Sequence, residues 1–193
     1  DAGVAQLVAR YREAAVPLAQ RPVGQASGAF LRQRQPSGES VLGNLIADAQ
    51  LAATRAPERG GAQISFMHPG GIRADLVPDA QGLVRYGQLF AVQPFGNSLV
   101  VRSFSGAQLQ ALLEQQFHSG SNSVQNPRVL SVSDGFGYRY DLSQPPGQRV
   151  SALTLQGRPI APQERLRVAI SSYLAAGGDN FTVFQQGQDD VGG

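Results

Sequence analysis

Short apolar runs cut at regular intervals by glycine and proline constrain this chain more than any other feature of its sequence. It carries 23 Gly and 12 Pro in 193 residues. Gly enters positive φ without steric penalty, while Pro fixes φ and lacks an amide proton, so each interrupts or turns the backbone where it falls. Between these breaks the apolar residues change period. Val4, Leu7, Val8, Tyr11 and Ala15 recur at helical spacing up to Pro17, whereas Gln63 to Met67 alternates as a strand does. No internal repeat of solenoid period is present. The pattern predicts an α/β chain of α+β-like character, a mixed sheet with flanking helices in a single compact domain, with residues 1–20 as an entry or linker helix and 21–193 as the domain proper.

The same reading places the other elements. Gly24 to Leu31 reads as a strand, followed by a polar loop through Arg32, Arg34, Pro36 and Gly38. Ser40 is a capping residue for a helix with Val41, Leu42, Leu45, Ile46, Ala49 and Ala53 on its buried side. A short helix is expected from Tyr86 to Ala91, a strand from Ser98 to Phe104 and an amphipathic helix from Ala107 to Phe117. Ser119 to Asn126 reads as a mobile polar loop. Strands are expected at Val129 to Val132, Tyr138 to Leu142, Val150 to Leu155 and Leu166 to Ser171.

Composition narrows the functional classes. At 41% hydrophobic and 16% charged residues the chain suits one globular domain rather than a disordered segment. All 16 basic residues are Arg, scattered along the chain for a formal charge of only +2, so no block exists to neutralise a polymeric nucleic acid. Without Cys there is neither a disulfide framework nor a thiolate metal site. No apolar run approaches the ~18–20 residues that span a bilayer. The chain opens at Asp1 without an initiator Met, and is expected to be a processed or excised piece of something longer.

Self-contained catalysis is not encoded in any motif. Only His68 and His118 could offer imidazole ligands, no Gly-x-Ser-x-Gly elbow occurs, and Gly135-Phe136-Gly137 lacks the third glycine of a dinucleotide fingerprint. Recognition chemistry is what remains. Tyr173 to Phe181 gathers an aromatic ring, a Gly177-Gly178 turn and the Asp179 carboxylate after an apolar run. It reads either as strand, turn and strand with Tyr173 and Phe181 in the core, or as a cradle for a flat ligand held by its polar edge. Arg73, beside Gly70-Gly71, could hold a phosphate or carboxylate bidentately, or pair with Asp75 or Glu39. Phe95, between Pro94 and Gly96, is either displayed for binding or a hydrophobic plug. His68 reads as a loop hydrogen-bonding residue rather than a metal ligand. Asn44 and Asp48, one helical turn apart, are expected to make capping or loop hydrogen bonds.

Four segments, taken in order, resemble the C-terminal domain of the 5′-nucleotidase family: Glu39-Ser40-Val41-Leu42-Gly43-Asn44-Leu45-Ile46-Ala47-Asp48-Ala49, Gly70-Gly71-Ile72-Arg73, Phe90-Ala91-Val92-Gln93-Pro94-Phe95-Gly96-Asn97 and Tyr173 to Phe181. The resemblance runs from about Gly24 to Phe184. It implies a nucleotide-recognition domain whose covalent partner is an N-terminal metallophosphoesterase domain. That partner would carry two divalent metals of Zn or Mn type and the hydrolysis of nucleoside monophosphates. No cofactor is then expected on this chain, no catalytic residue lies in it, and alone it should be inactive. By the same resemblance Phe95 and Tyr173 would sandwich the base and Asp179 would accept the ribose hydroxyls. Arg73 with Arg34, or with Arg32 in its place, would hold the phosphate, while His68 and Gly71 line the turn that meets the ligand. The family usually has Asn at His68 and Phe at Tyr173. Cyclic 2′,3′-nucleotides, 3′-nucleotides and nucleotide-sugars are alternative substrates under this resemblance, and a non-catalytic nucleoside-binding module is the alternative of another class. It also implies a periplasmic, secreted or cell-surface location.

Overall fold

A computed structural model describes residues 1–192. In chain order its elements are α1 (Ala2–Ala19), β1 (Pro22–Gln25), α2 (Val41–Thr54), β2 (Ile64–Met67), β3 (Leu83–Arg85), α3 (Tyr86–Val92), β4 (Leu99–Ser105) and α4 (Gly106–Glu114). There follow β5 (His118–Ser119), β6 (Asn122–Ser123), β7 (Ser131–Val132), β8 (Phe136–Tyr140), β9 (Val150–Leu155), β10 (Arg158–Pro159), β11 (Arg165–Ser171), α5 (Ser172–Ala175) and β12 (Gln188–Gly192). The architecture is the mixed α/β one that the changing periods predict. The chain forms two compact units, a smaller one of Asp1–Leu31 with Ile72–Phe95 and a larger one of Arg32–Gly71 with the described residues from Gly96 onward.

In the smaller unit Asp1 caps α1, its carboxylate accepting from Gly3 N at 2.8 Å. The helix runs through Pro17 to Ala19 rather than ending at the proline, which lacks the N–H that would bond the Glu13 carbonyl one turn back. No residue of α1 is buried. Strand β1 pairs antiparallel with β3, Gln25 opposite Leu83. The strand expected from Gly24 to Leu31 is therefore shorter and earlier: it ends at Gln25, and Phe30 contributes only an isolated bridge to Leu76. The Arg85 guanidinium ties this unit together through Gln20 O at 3.0 Å and the Asp79 carboxylate at 3.3 Å.

The larger unit is built on a five-stranded sheet in the order β12-β4-β11-β2-β7. Only β2 and β11 run parallel, with Val168 opposite Ile64, and every other neighbour pair is antiparallel. Central strands β2, β4 and β11 bury residues on both faces, so apolar side chains stand at adjacent as well as alternate positions. Ile64, Phe66, Phe104, Leu166, Val168 and Ile170 meet Leu109, Leu112 and Leu113 of α4 on one face. On the other face Val101 and Ala169 pack with Leu51 of α2. Fully buried phenylalanines 66, 104, 117, 181 and 184 dominate the first core, each side chain stabilising by about 1.5–3 kcal/mol on burial. A second antiparallel sheet, β10-β9-β8, closes that core through Phe136, whose ring meets Phe66 edge-on at 5.5 Å.

Helix α2 starts where Ser40 caps it, Gly43 N donating to its hydroxyl at 3.0 Å. Its buried face is Leu42, Gly43, Ala47, Gln50, Leu51 and Thr54; Val41 is exposed, as are Ala49 and Ala53. The apolar pattern misjudged this face because two polar residues are satisfied within it. Gln50 accepts from Ser65 Oγ at 2.9 Å, and Thr54 donates to Gln50 O at 2.7 Å. Asp48 makes a loop hydrogen bond, accepting from Asp134 N, and Asn44 donates both to the Glu39 carboxylate ahead of the helix and to Val132 O of β7. Helix α4 stops at Glu114, short of Phe117. The segment from Ser119 to Asn126 is a short hairpin of β5 and β6 rather than a loop throughout, held by hydrogen bonds that only the folded chain supplies.

Candidate functional site

Strands β2 and β11 are parallel neighbours, so their carboxyl ends emerge side by side, the place where open α/β sheets receive ligands. Past β2 the chain turns through His68, Pro69, Gly70 and Gly71. Past β11 it enters α5, capped by Ser171 Oγ accepting from Leu174 N, and then the Gly177-Gly178-Asp179-Asn180 turn. The two ends meet ring to ring: His68 and Tyr173 have centroids 5.1 Å apart at 31°. His68 is 5% exposed and Tyr173 42%, so the imidazole forms a floor and the tyrosine keeps an open surface. Segment 173–181 is thus neither of its two expected strands. Phe181 is core and Tyr173 is not.

Glycines set this geometry by close approach. A Cβ on Gly178 would lie 2.4 Å from Tyr173 Cε1, and one on Gly71 would lie 2.7 Å from His68 Cε1. Gly177 is left-handed at φ 85°, and Asp179 and Asn180 follow at φ 53° and 66°. Asp and Asn are the side chains that tolerate this region best, yet each such residue costs about 1–3 kcal/mol unless its surroundings hold it. Here they do. Asn122 Nδ2 donates to Asp179 O at 2.8 Å, Ser119 Oγ donates to Asn180 O at 2.7 Å, and Asn180 Nδ2 donates to Ser121 Oγ at 3.1 Å.

Tyr173 and Asp179 lock one another. The phenol donates to Asp179 Oδ1 at 2.9 Å and accepts from Asp179 N at 3.1 Å. The other carboxylate oxygen, Oδ2, is buried, and among the described residues it has no hydrogen-bond partner. His68 Nδ1 is in the same state. Burial pushes the His68 imidazole below its ordinary value of 6.5; the Asp179 charge opposes this and the Arg128 charge reinforces it. Burial raises the Tyr173 phenol, with the Asp179 hydrogen bond adding to the rise. The site therefore offers an open aromatic face, a neutral imidazole beneath it and a carboxylate oxygen that lacks a donor.

Of the residues singled out in the sequence, His68, Gly71, Tyr173 and Asp179 come together here. Arg34 also lies in the larger unit, exposed on the loop into α2, where its backbone bridges to Ser40. Arg73 and Phe95 belong to the smaller unit. Arg73 N donates to Val92 O at 2.8 Å, with its side chain exposed. Phe95 is 49% exposed and plugs no core. Glu39 is occupied with Asn44, whose amide donates to it, and burial raises its carboxyl. The hairpin residues Ser119 and Asn122, which hold the Asp179 turn, went unnoticed because a polar loop carries no local mark of its distant partner. Among the described residues no group of three or more His, Asp or Glu side chains could hold a metal ion, and no helix is long and apolar enough to cross a membrane.

Comparison with known proteins adds to this geometry. The family described as 5′-nucleotidase, C-terminal domain, matches residues 22–186. The trifunctional nucleotide phosphoesterase protein YfkN of Bacillus subtilis is 34% identical over 173 residues, covering 83% of this chain and 11% of that protein. The NAD 5′-nucleotidase of Haemophilus influenzae is 27% identical over 199 residues, covering 95% of this chain and 32% of that one. Among solved structures, the 5′-nucleotidase precursor of Thermus thermophilus superimposes with a TM-score of 0.80 at 33% identity, over 96% of this chain and 36% of that chain. The chain thus spans a third or less of the length of these two curated relatives.

Proposed function

The chain belongs to the 5′-nucleotidase family as a C-terminal domain, and from that premise we propose that it recognises the nucleotide for a metal-dependent phosphomonoester hydrolase. The hydrolysis itself would lie in a preceding metallophosphoesterase domain carrying two divalent metals. The observation that carries this reading is the buried, donorless Asp179 Oδ2 beside the open Tyr173 face. A buried acceptor without a partner costs about 1–3 kcal/mol, more for a charged one. A ribose hydroxyl would relieve that cost while the base stacks on Tyr173, the stacking contributing about 1–3 kcal/mol. In this proposal Arg34, or Arg32 in its place, holds the phosphate, and His68 and Gly71 shape the wall. Relatives named as a cell wall protein and as a snake venom 5′-nucleotidase favour an extracytoplasmic setting.

Calorimetric titration of adenosine and of 2′,3′-dideoxyadenosine into the 193-residue chain tests the reading. The chain should prefer adenosine, and Asp179→Asn should remove that preference while leaving the dideoxynucleoside unaffected. Equal binding of the two nucleosides by the unaltered chain would refute the assignment of Asp179. The chain alone should not turn over adenosine 5′-phosphate with added Mn²⁺ or Zn²⁺; substantial turnover would overturn the division of labour.

A further inference from the structure

The segment that carries Tyr173 and Asp179 is closed at its base by one side chain. Arg102, in the middle of β4, shares a face of that strand with the core residues Val100 and Phe104. Its Nη1 donates to Ala175 O at 2.8 Å and to Phe184 O at 3.0 Å. Ala175 ends α5, two residues past Tyr173, and Phe184 lies on the return from the Asp179 turn, so a single nitrogen ties the two arms of segment 173–184 together. Leu174, Phe181 and Phe184 anchor those arms in the core, and the guanidinium joins them to each other.

The last strand aims this guanidinium. Arg102 Nη2 donates to Asp190 Oδ2 at 2.8 Å, with Nε 2.8 Å from Oδ1 in the same ion pair. Every residue of β12 is exposed, and its register on β4 is interrupted: Gln188 stands opposite Ser103 and Val191 opposite Val101, so Asp189 and Asp190 form a bulge. Asp189 is left-handed at φ 57°, its carbonyl accepting from Arg167 Nη1 at 2.6 Å and its carboxylate pairing with Arg165 at 3.1 Å. Gly187 lets the backbone pass over the arginine stem, since a Cβ there would lie 2.7 Å from Arg102 Cδ. A strand that buries no side chain has little packing to place it; the contacts at its bulge do so, and one of them reaches the segment of the site.

We infer that Arg102 is a positioning residue of the nucleotide site and that β12 sets it through Asp190, so that affinity for the nucleoside depends on an ion pair of the last strand. With the pair intact, the guanidinium holds α5 and the return arm together, and the Tyr173 ring and Asp179 carboxylate keep one geometry. With it broken, the guanidinium is free to turn toward water, and ordering the segment becomes a cost of binding. This inference rests on the nucleotide-recognition reading above and adds a positioning residue to it.

The test is calorimetric titration of adenosine into the chain, into Arg102→Gln and into Asp190→Asn, at low and high potassium chloride, with amide hydrogen exchange of the same three proteins read by mass spectrometry. Adenosine carries no charge, so salt acts on its binding through charges of the protein. Arg102→Gln should weaken adenosine by about three- to tenfold, as the loss of charged hydrogen bonds predicts. Asp190→Asn should weaken it by about two- to fivefold, the range of a partly exposed ion pair. High salt should weaken binding to the unaltered chain and have no such effect on Asp190→Asn. In both variants exchange should quicken in residues 176–183 and stay unchanged in β2 and β11. Asp190 is half-exposed, so its variant decides the matter even if Arg102→Gln does not fold. Unaltered affinity in Asp190→Asn, or exchange that rises equally in the segment and the sheet, overturns the inference while leaving nucleotide recognition standing. Failure of the unaltered chain to bind adenosine at all overturns the recognition reading and this inference with it.

Discussion

Replacing Tyr173 by Phe removes one oxygen atom and, with it, both bonds of the Tyr173–Asp179 lock. The phenol's donation to Asp179 Oδ1 at 2.9 Å is a hydrogen bond to a charged acceptor, and its acceptance from Asp179 N at 3.1 Å is an ordinary one. Fully buried, the pair would contribute about 2–4 kcal/mol. Tyr173 is 42% exposed, so water replaces part of what is lost, and a loss of about 1–2 kcal/mol is the reasoned figure. In a chain of this size that lowers the thermal midpoint by about 2–8 °C. The stacking face is unchanged in Phe, so the effect on ligand binding should fall on the ribose contact alone. Asp179, left-handed at φ 53°, loses the partner that fixes its carboxylate, and adenosine should bind about three- to tenfold more weakly, equivalent to about 0.6–1.4 kcal/mol. Binding of 2′,3′-dideoxyadenosine should not change. Calorimetry with both nucleosides, alongside thermal unfolding followed by circular dichroism, reads each quantity separately. If the two nucleosides weaken equally, Tyr173 acts through its ring and not through Asp179. If neither stability nor affinity moves, the lock has no energetic weight.

Other substitutions probe separate features. His68 titrates below 6.5 when folded and near 6.5 when unfolded, so the unfolded chain takes up the proton first and stability falls as pH drops through about 6.5. His68→Asn should flatten that dependence, measured as urea midpoints at pH 5.5 and 7.5; an unchanged slope would show that other groups govern the window. Gly43→Ala would bring a Cβ within 2.1 Å of Ser131 Oγ and 2.7 Å of its Cβ. Forcing α2 away from β7 in this way should destabilise by about 1–3 kcal/mol in urea unfolding, and a neutral result would mean the contact relaxes freely. Phe95→Ala should leave the thermal midpoint nearly unchanged because the ring is 49% exposed; a large loss of stability would return Phe95 to a packing role.

Local signals were enough wherever a segment's own pattern decided its structure. The change from helical to alternating period marked α1, β2 and β9, and Ser40 ahead of an apolar run marked the start of α2. They failed where a distant partner decided. Gln50 and Thr54 look like solvent-facing residues in the sequence and are buried because Ser65 and a backbone carbonyl satisfy them. The hairpin from His118 to Ser123 looks like a loop because its Ser and Asn side chains find their acceptors and donors across the fold, on the Asp179 turn. Segment 173–181 looks like two strands because α5 is a single turn, too short to display a helical period.

The amino-acid sequence by itself determined the kind of chain this is: four ordered motifs, a mixed α/β pattern and residues suited to recognition. Which oxygen of Asp179 is bound by Tyr173 and which is left without a donor was decided only by the tertiary structure, because the parallel register of β2 and β11 brings His68 under Tyr173 and the glycine turn folds Asp179 back onto the phenol.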